Sequence, residues 1–204
     1  MTSEGVTALR YGEVVAQSTP AWPTFSVVDI ETSGLSDRRH RILQLAVATV
    51  VDGEITDEWS TLVALRWPWQ RVGPRRVHGI SRRSLRDAPD TTAALTEFAA
   101  RTAGTVIVAH NISFDWSFLE RAAAKHGVQL DGSRRLCTLW MSRRLDPDRE
   151  MSHRLADLCE RYGIVNERPH DAVYDARATA EILPHLLTGH GIADETGLAE
   201  FYER

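Results

Sequence analysis

Phe25-Ser26-Val27-Val28-Asp29-Ile30-Glu31-Thr32-Ser33-Gly34 is the stretch on which the fold turns. Its first six residues form a short, largely apolar run rich in β-branched side chains, which reads as a buried strand carrying Asp29 near its end. Residues two apart on a strand face the same side, roughly 6–7 Å apart at Cα. Asp29 and Glu31 therefore point together if the strand continues to residue 31. Two carboxylates on one face of a central strand repel each other and are costly to desolvate unless cations neutralise them. Taken alone, the pair fits a surface position at a strand end equally well.

The elements that follow build a sheet around this strand. Residues 43–51 read as a second strand, Asp52-Gly53 as a hairpin turn and residues 55–65 as a third strand. A further apolar run over 105–109 reads as another. Helices are expected near 91–101, 114–125, 154–162 and 172–183, with Gly104, Gly127 and Gly163 where C-terminal caps fall, and Pro184 ending or kinking the last helix. An antiparallel hairpin followed by alternating helices and strands gives an α/β fold, a mixed sheet with helices packed on its faces.

Three more polar residues stand at the edges of these elements. His110-Asn111-Ile112 reads as a tight strand-to-helix connection, with Ser113 as N-cap and Asp115 in the first helical turn. There the helix dipole favours the carboxylate form that a metal needs. His170 and Asp175 are five residues apart, which on one helix would place them about 140° apart. They converge only if His170 lies in the loop before the helix, a placement that Pro169 permits because it disfavours helix ahead of it. Each feature alone also fits a structural role, Asp115 as support for a helix start and His170 as a histidine beside one. Together they make four carboxylates and one imidazole, a set suited to hard cations such as Mg²⁺ or Mn²⁺ with a proton acceptor beside them. That is equipment for cutting a phosphodiester.

These three motifs, with Val77-His78-Gly79-Ile80 and Ser152-His153-Arg154-Leu155, resemble the DEDDh group of 3′-to-5′ exonucleases in the DnaQ-like superfamily, which includes the exonuclease domain of the DNA polymerase III epsilon subunit. The likeness runs from about Thr24 to Leu187. It implies a ribonuclease H-like fold with a mixed five-stranded sheet flanked by helices. It also implies two divalent cations, Mg²⁺ or Mn²⁺, held by Asp29, Glu31, Asp115 and Asp175. By the same likeness Asp29 bridges the ions, Glu31 and Asp175 complete one shell, and Asp115 serves the other. His170 takes a proton from the attacking water, completing a catalytic set of five. Thr32 and Gly34 bring backbone close to the last nucleotide, His78 contacts substrate, and His110 and Asn111 orient the site or touch the 3′ end. Phe114 is expected to pack.

The activity expected is release of nucleoside monophosphates from the 3′ end of DNA, single-stranded in preference. The rival readings are an exoribonuclease of the same superfamily and a non-catalytic nucleic-acid or polymerase-associated binding module. The intact set of five argues against the module, since a pure binder has no reason to tolerate so much like charge.

Length and composition agree with one enzyme domain. The 204 residues suit a single core, expected over 24–188, with an N-terminal arm or tail over 1–23 and a short C-terminal tail over 189–204. No stretch approaches membrane-spanning length and the start lacks the pattern of a signal peptide, so a cytoplasmic location without membrane partners is expected. The chain stops soon after the last expected helix, without a long polymerase-docking tail of the epsilon kind, which favours a stand-alone enzyme of repair or turnover. Cys137 and Cys159 form no CxxC pair and sit in apolar company, so both are expected buried, reduced and structural.

Net charge is −4, but its distribution is uneven. The chain holds 23 arginines and one lysine. Residues 59–86 carry seven of those arginines and no acid, interleaved with Trp59, Trp67 and Trp69. That mixture suits phosphate contacts and base stacking on single strands, and equally suits solvated loop arginines with core tryptophans.

Overall fold

The computed structural model describes residues 21–203. β1 (Phe25–Thr32), β2 (Ile42–Val51) and β3 (Glu54–Leu62) form an antiparallel meander, and β4 (Val106–Ala109) and β5 (Arg135–Cys137) add parallel strands on the other side of β1. The spatial order is β3-β2-β1-β4-β5, so the expected five-stranded mixed sheet is present with β1 at its centre. The β2–β3 turn is the expected Asp52-Gly53, with φ of 51° and 86°, the left-handed pair that matches the twist of a two-residue hairpin.

Alternation along β1 sorts its side chains between two cores. Phe25 and Val27 pack with Leu158, Ile182, Leu183 and Leu186 of α5 (Leu155–Tyr162) and α6 (Ala172–Gly189). Val28 and Ile30 pack on the opposite face with Leu95 and Phe98 of α2 (Thr91–Thr102) and Ile112 and Leu119 of α3 (Ile112–His126). Asp29 and Glu31 continue the period-two series begun by Phe25 and Val27, which sends both carboxylates to the α6 face. There Ala46, Ala172 and Ala176 form a cluster of methyl side chains that lets the start of α6 lie close on the sheet.

Several boundaries differ from the sequence-based expectation. Asn111, at φ 75°, occupies the cap position of α3, so Ser113 lies inside the helix and does not cap it. β3 ends at Leu62, and α6 continues through Pro184 to Gly189, because its buried face extends past the proline through Leu186 and Leu187. Several short elements had no counterpart in the sequence reading: α1 (Arg75–His78), β5, the helix that follows it directly, α4 (Thr138–Arg144), and the turns of helix over Glu195–Leu198 and Ala199–Phe201. Residues beyond 188, expected as a tail, pack on the body: Ile192, Leu198 and Phe201 are buried and Glu203 N–H donates to Arg135 O at 2.9 Å. Of the expected arm, residues 1–20 lie outside the described residues, while the Trp22 indole N–H donates to Ile192 O at 2.9 Å. Cys137 and Cys159 are both buried and free. No helix among the described residues is long and apolar enough to cross a membrane.

Candidate active site

The carboxyl end of β1 is where the separate motifs meet. Carboxylate oxygens of Asp29, Glu31 and Asp175 all lie within 4.8 Å of one another. Asp175 comes from the first turn of α6 and is positioned by two donors, Asn166 Nδ2 at 2.6 Å and the His170 backbone N–H at 3.0 Å. Asp115 comes from the first turn of α3, on the element after the strand parallel to β1, and is buried. The site therefore sits at the edge where β1 has an antiparallel neighbour on one side and a parallel one on the other, a crevice that open α/β sheets reserve for ligands.

Electrostatics shows how strained this arrangement is without a counter-ion. Burial pushes the Asp29 carboxyl well above its ordinary range, and the like charges of Asp115, Asp175, Glu31 and Asp171 push it further. Glu31 is raised to about 8 by burial and then by Asp175, Asp171 and Asp115. Asp115 is also raised to about 8, by burial, against the pull of backbone N–H groups of its own residue and Ile30. Asp175 is raised by burial too, with Asn166 and His170 acting in the other direction. Like charges that raise one another are the signature of a shared site, and a cation placed among these oxygens would reverse the shift of each. The donor set, all carboxylate oxygen, is that of a hard divalent cation, and the residues fit such an ion.

His170 lies where the spacing argument requires, in the loop ahead of α6, with Asp171 at the cap position. It is exposed and holds φ at 68°. Thr32 is buried, its hydroxyl donating to Gly34 O at 2.8 Å. A Cβ on Gly34 would lie 2.5 Å from the His40 ring, so a side chain there would have to displace that ring. Asn111 is exposed at the start of α3 with no side-chain hydrogen bond to the helix, and Phe114 packs as expected, on Phe118 and the α2/α3 core.

His78, expected to contact substrate, and His110, expected to orient the site or touch the 3′ end, both make hydrogen bonds within the protein. His78 is 6% exposed; its Nε2 donates to Val72 O at 3.2 Å and its Nδ1 accepts from Ile80 N–H at 3.1 Å. Both ring nitrogens thus hold the loop together, and burial lowers the ring's pKa, in keeping with a neutral tautomer. His110 is pushed down to about 4, chiefly by burial, and its Nδ1 lies 3.0 Å from Thr138 Oγ1 with the His153 backbone also in reach. That neutral ring belongs to a network behind the site: Thr138 Oγ1 reaches Ala109 O at 3.3 Å, and His153 joins Ser142 Oγ at 2.8 Å to Asp146 Oδ2 at 3.1 Å. His153 of the SHRL motif thus ties the residues ahead of α5 to α4 and the turn after it.

Sequence reasoning missed Gln44 and Asp171. Gln44 stands opposite Glu31 in the β1–β2 ladder, donates through Nε2 to Asp171 Oδ1 at 2.9 Å and accepts from Ala172 N–H at 3.4 Å. A glutamine in an otherwise apolar strand, ILQLAVATVV, was the available signal.

A mixed five-stranded sheet with carboxylates gathered at the end of its central strand is the arrangement of the DnaQ-like exonucleases, whose fold is ribonuclease H-like. The RNase_T family, described as exonuclease, matches residues 26–183, and the chain belongs to it. Among its relatives is the PolC-type DNA polymerase III of Staphylococcus saprophyticus, 33% identical over 166 residues, covering 80% of this chain and 11% of the polymerase. The chain thus spans about a tenth of that relative's length. Exonuclease X, solved with a 5′-overhanging duplex DNA, superposes with a TM-score of 0.66 at 26% identity, covering 82% of this chain and 93% of the other. A 3′-exonuclease solved recognising the histone mRNA stem-loop superposes with a TM-score of 0.73 at 12% identity over 88% of this chain and 68% of the other, a likeness of fold.

Proposed function

We propose that this chain is a DEDDh exonuclease that uses two divalent cations, Mg²⁺ or Mn²⁺, to release nucleoside monophosphates from the 3′ end of single-stranded DNA. The observation that carries the reading is the convergence of Asp29, Glu31 and Asp175 oxygens within 4.8 Å, with Asp115 pressing on the same carboxylates from α3. When bound, the cations would stabilise charge on the attacking and departing oxygens of the scissile phosphate. Asp29, Glu31 and Asp175 would hold them from the β1–α6 side and Asp115 from the α3 side. His170, on the solvent side of Asp175, would accept a proton from the attacking water, a task that suits imidazole near neutral pH. Thr32 and Gly34 would present the chain after β1 to the terminal nucleotide, and Asn111 is the polar side chain free to meet it from α3. The lean toward DNA draws on the PolC-type polymerases and on Exonuclease X with its DNA.

One gel tests the proposal. 5′-labelled single-stranded DNA, duplex DNA and RNA are incubated with Mg²⁺ or Mn²⁺, and with chelator. The expected result is a one-nucleotide ladder shortening from the 3′ end of single-stranded DNA, absent in chelator. A ladder on RNA alone would replace DNA by RNA in the proposal, and cleavage undiminished by chelator would remove the cations.

A further inference from the structure

Trp67 and Trp69 stack on each other with ring centroids 5.1 Å apart and planes 10° apart, yet are 49% and 72% exposed. Trp59, by contrast, is partly buried against the α2/α3 core under the Arg101 guanidinium, which removes it from the strand-binding mixture expected from the sequence. Two large rings paired in solvent are an unusual use of apolar surface, and such surface marks contact sites. The loop that carries them is firmly built. Arg82 donates to Gln70 O at 2.6 Å and Trp67 O at 2.7 Å, and Trp67 N–H donates to Gln70 Oε1 at 2.9 Å. A Cβ on Gly73 would lie 2.1 Å from Ser33 O, so the loop rests directly on the residue two past Glu31.

Trp67 and Trp69 line a cleft of about 620 Å³ that also includes Ser33, Arg39, Arg41, Arg71 and Lys125 and no acidic residue. Among the described residues, none of these four cations has a carboxylate partner. An acidic peptide would answer the charge but not the stacked indoles. A single-stranded polynucleotide answers both, with its phosphates on the cations and an unpaired base on the exposed ring face. Duplex bases are already stacked and offer no such face.

We propose that this cleft holds the substrate strand on the 5′ side of its terminal nucleotide, with a base stacked on the Trp67–Trp69 pair and phosphates on Arg39, Arg41, Arg71 and Lys125. The assignment rests on the reading of the carboxylate cluster as an exonuclease centre, and its test keeps the two apart. Binding of fluorescein-labelled dT12, rU12 and a 12-base-pair duplex is measured by anisotropy with the full chain in chelator, where no cleavage occurs. Cleavage of a dT dinucleotide in Mg²⁺ or Mn²⁺ is measured separately.

Trp67→Ala/Trp69→Ala is expected to weaken dT12 binding about ten-fold, with duplex binding and dinucleotide cleavage changed less than about two-fold. Arg71→Ala is expected to weaken it less and to lower the dependence on salt by about one counter-ion. Trp69→Phe, which keeps a ring, should retain most of the affinity and guards against misfolding of the double variant. A loss on rU12 equal to that on dT12 also supports the cleft and makes it indifferent to the sugar. Wild-type affinity of the double variant for both 12-mers overturns the proposal. Failure of the wild type to shorten any of the oligonucleotides in Mg²⁺ or Mn²⁺ sinks the exonuclease reading, while the 12-mer titration in chelator still decides the cleft.

Discussion

His170 joins two functions that substitution can separate. Its backbone stands at φ 68°, a left-handed conformation that costs a non-glycine residue roughly 1–2 kcal/mol. In that conformation its N–H reaches Asp175 Oδ2 at 3.0 Å. The main chain thus orients a carboxylate of the cluster while the imidazole remains exposed for proton transfer. His170→Ala removes the imidazole and keeps the backbone cost; His170→Gly removes both. Both variants are expected to lose about 10²–10⁴ in kcat on single-stranded DNA, and the glycine variant should melt higher than the alanine variant. Normal turnover in either would strip His170 of its role as base. The spacing of HDAVYD was enough to place His170 in the loop. The backbone bond to Asp175 was invisible to it, because main-chain direction in a turn leaves no pattern of residue types.

The start of α6 is fastened to the sheet by one side chain. Gln44 on β2 bonds both Asp171 Oδ1 and the Ala172 N–H, and beside it the Ala46–Ala172–Ala176 contact fixes how closely the helix approaches. Gln44→Leu leaves Asp171 and an N–H at a helix start without partners, which costs about 1–3 kcal/mol. The expected outcome is a melting temperature lower by several degrees, with kcat falling because Asp175 is less firmly held. An unchanged melt would show the clamp to be idle. Elements of this length were readable in sequence where they carried a long apolar period: β1, β2, α2 and α3 lie within a few residues of expectation, and α6 starts where expected but runs past Pro184 to Gly189. β5 and α4 were not, since three and seven residues are too short for periodicity to register. The internal hydrogen bonds of His78 and His110 were hidden for a related reason. Their motifs mark fixed positions, and only burial distinguishes a histidine that braces a loop from one that meets a ligand.

The cluster is assembled from segments as distant as Asp29 and Asp175, so its mutual repulsion is carried by the whole fold. Glu31 raised to about 8 makes the sign explicit. An acid whose pKa is raised on folding adds stability below its ordinary value of 4.5, and that contribution is lost as pH climbs through about 8. Asp115 behaves alike. In chelator the cluster should therefore favour the folded state at pH 5 and oppose it at pH 8, where the carboxyls must ionise against one another. Divalent cations compete with those protons and bind the native arrangement alone. Mg²⁺ or Mn²⁺ at about 100 times its dissociation constant adds roughly 2.7 kcal/mol, which for a chain of this size raises the melting temperature by about 5–10 °C. The rise should be larger at pH 8 than at pH 5, because fewer protons then hold the oxygens. Asp29→Ala, which removes the carboxylate at the centre of the cluster, should abolish most of the rise while melting above the wild type in chelator at pH 8. Differential scanning calorimetry of the two proteins at both pH values decides it. A wild-type melt unmoved by either cation at pH 8 would mean that these carboxylates gather for some purpose other than holding metal.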